Sequence, residues 1–509
     1  MRKYFKHIIL LSIDDLRYDA LSAESDSVYM NRYELAQSRN TPQLDNIYEQ
    51  AATFRQCRST AVFTPPSHAS ILSGLNPIRH GVRVFFPSQL SPDSPTLFNL
   101  LKQSNFQTLS SIDYPFCFYP QRIIQPESDM IEKDDETILR AFEKSAQEGD
   151  RTFLFMHMSN VHFPYGLSYP PVSEADQARL SAYFALAKGV GIRTSKSLEN
   201  KIRKSLSFSG SLLDQIHKKL IEKNIAENTF MPCYVSGVNQ FDRSRFRELF
   251  NRIRKLKSLK DILVVITSDH GEMGQKVKGG NTFFGHGLHL AEEATRVPLM
   301  FWNPYRLDPS KSETPVSSTD ITPTILELCG IRTKLSFDGQ SLARMVLSKK
   351  ETAPSECFAE SWQHPSDFFK KFYSILRIFG DEFPQPDKLK RFFPPITLFQ
   401  QTIRSGNYKL VKYFGAGRNQ FSLFNTKTDP FESNNLLNYE FYNSCLLDQS
   451  IRNAGMIKLP DYGNIAKALK ERLSTLNTPP DRSQKQKRFV KNIKVTDLAE
   501  RMKGLGYLP

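Results

Sequence analysis

The stretch Ile262-Leu-Val-Val-Ile-Thr-Ser-Asp-His-Gly-Glu272 runs aliphatic and β-branched residues straight into an acid, an imidazole and a glycine. A run this short and this apolar, closed by polar residues, reads as a strand buried on both faces. Three further runs share the pattern, at residues 7–13, 152–158 and 297–302. Helical patterns lie between them, as at 41–51 and 67–75. Strands alternating with helices predict an α/β fold with a mostly parallel sheet between helices. In such sheets the loops beyond the carboxyl ends of the strands build the site. Asp14-Asp15 follow the first run, His157 and His162 close the second, and Asp269-His270 follow the third.

The 509 residues can bury a large core, and 39% hydrophobic with 24% charged residues is ordinary for a globular protein. The net charge of +15 gathers at residues 201–204, 243–260, 370–391 and 485–494. These read first as solvated helix faces and a basic tail, and second as attraction to an anionic substrate or surface. No nucleic-acid-binding module is visible, so no nucleic acid partner is expected. The apolar run at 7–13 is too short for a membrane span and leads into Asp14 without a small-residue cleavage site. It is expected to be a first strand, with no transmembrane segment elsewhere. The six cysteines are scattered without Cys-x-x-Cys pairs, which predicts reduced structural thiols and a cytoplasmic protein, peripheral at most to a membrane.

Three pieces carry chemistry. The adjacent carboxylates in Leu11-Ser-Ile-Asp-Asp-Leu-Arg17 are costly to place together unless a cation neutralises them. Asp269 and His270 offer a mixed oxygen and nitrogen donor pair that suits Zn or Mn better than Mg or Ca, and Gly271 lets the backbone turn away. In Phe63-Thr-Pro-Pro-Ser-His-Ala-Ser-Ile-Leu-Ser-Gly74, the prolines place Thr64 just before a helix N-terminus, where free N–H groups favour an anion. Its hydroxyl is there either to cap the helix or, beside a metal, to act as a nucleophile.

The order of these pieces resembles the sulfatases and their phosphatase, phosphodiesterase and phosphotransferase relatives in the alkaline phosphatase superfamily. The resemblance continues through Phe284-Gly-His-Gly-Leu-His-Leu-Ala-Glu-Glu-Ala-Thr-Arg-Val-Pro298 and Asp320-Ile-Thr-Pro-Thr-Ile-Leu-Glu327. It extends to Ile403-Arg-Ser-Gly-Asn-Tyr-Lys-Leu410, Leu423-Phe-Asn-Thr-Lys-Thr-Asp-Pro-Phe-Glu-Ser-Asn-Asn435 and the ending Met502-Lys-Gly-Leu-Gly-Tyr-Leu508. It implies a sulfatase-like catalytic domain over 1–355, in which 167–250 is a helical insertion or cover. A small C-terminal antiparallel-sheet α+β subdomain and tail over 356–509 would follow. One divalent metal ion (Mn, Ca, Mg or Zn) would be held by Asp14, Asp15, Asp269, His270 and Thr64. His162 and His286 would act as proton donors or hold the substrate anion, and His68, Arg17 and His289 would bind substrate. An ion pair between Arg17 and Asp19 is the alternative for Arg17.

Two departures shape the functional expectation. Sulfatases carry a Cys or Ser at the place of Thr64, oxidised to formylglycine, and Thr cannot become that aldehyde. Cys57 lies outside the family frame and reads as structural. The Lys expected after Gly-His-Gly is Leu288 here. A Thr nucleophile is what the phosphate-processing branches use, so a hydrolase or transferase acting on phosphate-type mono- or diesters is expected first. A sulfuric-ester hydrolase with unmodified Thr is the second reading, and a catalytically weak binder of an anionic glycan or lipid the third. A second metal is not expected, because the histidines of Met156-His-Met-Ser-Asn-Val-His-Phe-Pro164 come without a carboxylate. His157 reads as structural, and the substrate as an anionic ester on a glycan or a lipid.

Overall fold

The computed structural model describes residues 4–24, 28–84, 88–113, 117–119, 121–124, 128–132, 134–163, 165–166, 174–204, 216, 219, 226–274, 285–350, 356–363, 397–414, 420–437 and 462–476. Three of the four apolar runs become β1 (His7–Ile13), β6 (Arg151–Met158) and β7 (Ile262–Thr267). They are the centre of an eight-stranded sheet, with β6 and β7 parallel to β1 on either side. Outward from β6 lie β4 (Phe106–Ile112) and β5 (Met130–Glu132), both parallel. Outward from β7 lie β8 (Leu299–Trp302), β2 (Ala52–Phe54) and β9 (Ser310–Ser312), with β8 antiparallel to both of its neighbours. The sheet is mixed and mostly parallel.

Alternation along the central strands feeds two cores. Ile9, Leu11 and Ile13 of β1 point with Leu154, Val264 and Ile266 into one. Helices Pro42–Gln50 and Asp135–Glu148 close that face through Ile47, Ile138 and Phe142. Ile8 and Leu10 point with Phe153, Phe155, Leu263 and Val265 into the other, closed by Ile71 of helix Thr64–Ser73 and Ile325 of helix Ile321–Leu328. The described part of 167–250 is helical: Glu174–Gly189, Lys196–Lys204 and Ala226–Phe241, followed by a wide turn and helix Arg247–Ile253. Tyr234 and Val238 pack into the first core, so this segment is part of the fold's body on that face.

A second, antiparallel sheet follows, ordered β11 (Cys357–Gln363), β12 (Thr397–Ser405), β13 (Tyr408–Tyr413) and β14 (Gln420–Asn425). These four strands make up the small antiparallel sheet expected after residue 356. Helix Tyr462–Leu476 packs Ala466, Leu469 and Leu473 on Ile403, Leu410 and Leu423. The basic runs 370–391 and 485–494 and the ending 502–508 lie outside the described residues. No helix among the described residues is long and apolar enough to cross a membrane. The five described cysteines are unbridged; Cys57 is fully buried in β3 (Cys57–Arg58), which pairs with β10 (Val316–Ser317), and burial pushes its thiol pKa up.

Candidate active site

The register Ser12 to His157 and Ser12 to Thr267 sets the carboxyl ends of β1, β6 and β7 level with one another. Asp14, Asp15, Asp269 and His270 therefore meet, all buried. Asp15 has φ +68°, a left-handed conformation an L-residue adopts at a cost, and its N–H donates to Asp269 Oδ1 at 3.2 Å. Asp269 Oδ1 also accepts the His270 N–H at 2.9 Å. Gly271 owes its identity to a close approach: a Cβ there would stand 2.4 Å from the Glu293 carbonyl oxygen.

His270 is oriented by its two ring nitrogens. Nδ1 lies 3.2 Å from Asp15 Oδ1, so the Nδ1–H donates to that carboxylate. Nε2 is left facing Asp269 Oδ2 at 3.3 Å, Thr64 Oγ1 at 3.5 Å and Asp14 Oδ1 at 3.8 Å. An imidazole whose far N–H is held by a carboxylate is the usual arrangement of a metal-ligating histidine. Asp14 Oδ1, Asp15 Oδ2 and Asp269 Oδ2 accept no hydrogen bond among the described residues. Buried carboxylate oxygens left this way need a cation or a proton. Asp14, Asp269 and His270 each bring a donor atom within 4.8 Å of the others, and a divalent cation fits that set.

Thr64 is the first residue of helix Thr64–Ser73, with Phe63 in the capping place, so it stands one step inside the helix instead of before it. The main-chain position corrects the expectation by a residue. Its Oγ1 turns toward His270, away from a capping role. The hydroxyl thus sits at a helix N-terminus and on the rim of the carboxylate cluster, where an anion is favoured.

His162 and His286 stack edge to face with ring centres 5.0 Å apart. His286 Nδ1 lies 3.5 Å from Asp15 Oδ1 and 3.4 Å from Glu272 Oε1. Burial opposes its charging, but the Asp15 and Glu272 carboxylates outweigh that and raise its pKa. Asp15 itself is pushed well above the usual carboxylate range, by burial first and by Glu272 second. Glu272 stays down at about 2 despite burial, because His286 faces it. Asp14 is likewise held low against burial by His162, His157 and His270. With no cation counted, the cluster is short of positive charge.

Two expected substrate contacts, His68 and Arg17, are corrected. His68 is fully buried; its Nδ1–H donates to the Thr64 carbonyl at 2.9 Å, and Nε2 accepts from Ser12 Oγ at 2.8 Å. Burial pushes its pKa down to about 4, so it is a neutral strut under the helix. Arg17 is fully buried and forks onto Asp19 at 2.8 and 2.9 Å, with a further bond to the Glu272 carbonyl at 2.9 Å. That is the ion pair weighed as its alternative. His289 is partly buried, 3.5 Å from the Gln400 amide and edge-on to Phe399 of β12. Two residues were missed in the sequence reading. Glu272 joins the cluster, its Oε2 fixed by the Tyr165 hydroxyl at 2.9 Å. His157, read as structural, puts Nε2 3.2 Å from Asp14 Oδ2. An acid two residues past His270 was the available signal for Glu272.

The model of the family described as Sulfatase matches residues 6–331. The chain belongs to the sulfatase family. A second model, the C-terminal part of N-sulphoglucosamine sulphohydrolase, matches residues 280–454. Among curated sulfatases, the choline-sulfatase of Rhizobium meliloti (strain 1021) is 32% identical over 125 residues, 24% of this chain and 23% of that protein. Arylsulfatase K of Rattus norvegicus is 25% identical over 206 residues, 40% of this chain and 32% of that protein. The chain thus spans less than a third of the length of these two relatives. Solved structures carry the fold further. One, a protein in complex with its substrate D-glucosamine-2-N,6-O-disulfate, gives a TM-score of 0.61 at 15% identity over 95% of this chain and all of its own. The phosphonate monoester hydrolase of Agrobacterium radiobacter gives 0.55 at 16% identity, over 92% of this chain and 95% of that one. At such identities the likeness is one of fold.

Proposed function

We propose that this sulfatase-family protein is a metal-dependent ester hydrolase or transferase acting on phosphate-type mono- or diesters, with Thr64 as its nucleophile. The observation that carries the reading is Thr64 Oγ1, 3.5 Å from His270 Nε2 at the start of a helix and beside unpaired buried carboxylates. Asp14, Asp269 and His270, with Thr64 beside them, would hold the cation. When bound, it would lower the pKa of a hydroxyl and draw electrons from the ester. The first N–H groups of helix Thr64–Ser73 would bind the anionic oxygens of the substrate. Thr64 Oγ1 would form the new bond to phosphorus as the bond to the leaving oxygen breaks. His286, whose pKa the neighbouring carboxylates raise, would give that oxygen its proton, with His162 stacked beside it. Water or an acceptor hydroxyl would then release phosphate from Thr64, in ping-pong order.

The domain division at residue 355 and an anionic ester carried on a glycan or lipid belong to the same reading. The sulfatases among the relatives and the structural likenesses favour a second one, hydrolysis of a sulfuric ester with Thr64 unmodified. Aryl phosphate monoester, diester, phosphonate and sulfate, each assayed with Mn, Mg, Ca and Zn, separate the two. Thr64→Ala is expected to lower turnover by ~10⁴-fold or more, as removal of a nucleophile does, without changing thermal stability. Mass spectrometry of the quenched reaction should find the peptide containing Thr64 heavier by one phosphoryl group. Full activity in Thr64→Ala sinks the assignment.

A further inference from the structure

Arginines drawn inward in this fold meet carboxylates, as Arg17 does Asp19 at 2.8 Å, Arg58 Glu292 at 2.7 Å and Arg245 Asp113 at 2.6 Å. Arg83 does not. It is half-buried, its Nε is covered without a hydrogen-bond partner, and its guanidinium forms no ion pair among the described residues. It lies instead over the indole of Trp362, with Cζ 4.4 Å from the ring centre. That indole is fixed in turn, since its Nε1–H donates to Glu360 Oε1 at 3.0 Å. The other oxygen of the buried Glu360 carboxylate is engaged by the Gln401 amide at 3.4 Å. A guanidinium stacked on a ring face keeps its outer N–H edge in plane and free, the geometry that forks onto an oxyanion.

Two lines of contact tie this stack to the surroundings of Thr64. β11 runs beside the segment that leads there: the Cys357 thiol donates to the Val316 carbonyl at 3.4 Å, Val316 pairs with Cys57, and the Glu360 N–H donates to the Thr60 carbonyl at 2.9 Å. The two run in the same direction, 57–60 alongside 357–360, so Trp362 continues toward residues 62–64. Arg83 follows the short helix Pro77–His80. His80 Nδ1 accepts the Val82 N–H at 3.1 Å, so its Nε2–H donates to Ser70 Oγ of helix Thr64–Ser73 at 2.9 Å. Across β12, Leu398 pairs with Trp362, and the next residue, Phe399, meets His289 on the turn that carries His286. We propose that Arg83, held flat on Trp362, is a specificity-determining residue that binds a second oxyanion of the substrate, carried apart from the ester that reacts. The inference rests on the proposed hydrolase reading for the substrate it selects, whereas the anion site stands on Arg83 and Trp362.

The test compares phenyl phosphate with its meta and para carboxylate and sulfonate derivatives on the whole chain. The ratio of charged to plain ester in kcat/KM is expected to fall ~10–100-fold from wild type to Arg83→Gln, the worth of a hydrogen bond to a charged group. An unchanged ratio overturns the subsite, including when both esters fall together, as a merely structural Arg83 would make them do. Binding is read without turnover in Thr64→Ala. Trp362 and the buried Trp302 are the two tryptophans of the chain, so an indole emission change on adding the charged esters reports the stack. The Thr64→Ala, Arg83→Gln double variant is expected to lose that change, and its persistence there, or its absence in Thr64→Ala, overturns the subsite. If the phosphates prove inert and the matching aryl sulfates react, the phosphate reading fails alone, because the same ratio is then read on the sulfates.

Discussion

Two of the buried charge groups among the described residues are balanced in opposite ways. At the seam between the main sheet and the small one, Glu292 receives Arg58 and Arg404, each at 2.7 Å. Lys409 reaches Glu432 at 2.6 Å and also the Leu290 carbonyl. Every charge there faces an opposite one. At the carboxyl edge of the main sheet, Asp14, Asp15, Asp269 and Glu272 converge on one another, and their ionic partners among the described residues are imidazoles. A matched buried network holds two parts of a chain in register, whereas an unmatched one is tolerable only when a ligand completes it. The same residue types therefore mean structure in one place and chemistry in the other.

The largest effect that would break this contrast is at the seam. Glu292→Gln leaves Arg58 and Arg404 buried without a countercharge, and removing one partner of a buried pair costs about 3–5 kcal/mol. Denaturant unfolding of the variant is expected to show that loss with metal content unchanged. The pH dependence follows: Arg58 and Lys409 hold Glu292 below its ordinary value against burial. Its contribution is present above that ordinary value and fades as pH falls through the lowered one. A neutral result at the seam would remove the structural half of the comparison.

At the cluster the sign inverts. In metal-free protein Asp15→Asn is expected to stabilise by ~1–3 kcal/mol, the desolvation penalty of an unpaired buried group. Asn also tolerates the left-handed backbone found there. Asp15 has its pKa raised by burial and by Glu272, so its contribution is complete below its ordinary value of about 3.9 and is lost as pH rises. Metal-free wild type should therefore lose stability with rising pH more steeply than Asp15→Asn. Added Zn²⁺ competes with protons for the same oxygens, and its stabilising increment should grow with pH. Thermal melts across pH 5 to 8, with and without metal, read all three. A metal-free Asp15→Asn less stable than wild type would mean the cluster is balanced after all.

How much of this was legible depended on where the information lay along the chain. β1, β6 and β7 could be read because a parallel strand covered on both faces is apolar along nearly its whole length, as residues 262–266 are. β2 and β9 have three residues each and carry no periodicity to find. The metal-type residues were legible because they sit at the strand ends, where a single step in sequence places a side chain at the site. Glu272 was not, because it enters the cluster only after the turn at Gly271 packs against Glu293 and Tyr165 comes in from another loop. Arg17 and His68 failed for the opposite reason. Their motif positions pointed to substrate, but Asp19 and the Thr64 carbonyl claim them below the surface.

His289 gives the smallest expected effect and the finest test of the contrast. It lies three residues from His286, and the sequence reading gave both a place beside the substrate. The chain parts them by turning at Gly285 and Gly287, whose φ values of +116° and +100° suit glycine and strain other residues. His286 is thereby delivered to the Asp15 and Glu272 carboxylates, and His289 to Gln400 and Phe399 of the small sheet. Burial lowers the His289 pKa, so it brings no charge to either group at neutral pH. His289→Ala should cost only an edge-on ring contact, ~0.5–1.5 kcal/mol of stability. Its kcat/KM should change less than about threefold, which is under ~0.7 kcal/mol in transition-state binding. A drop of a hundredfold or more would restore His289 to the substrate and move the boundary between the two charge groups across this turn.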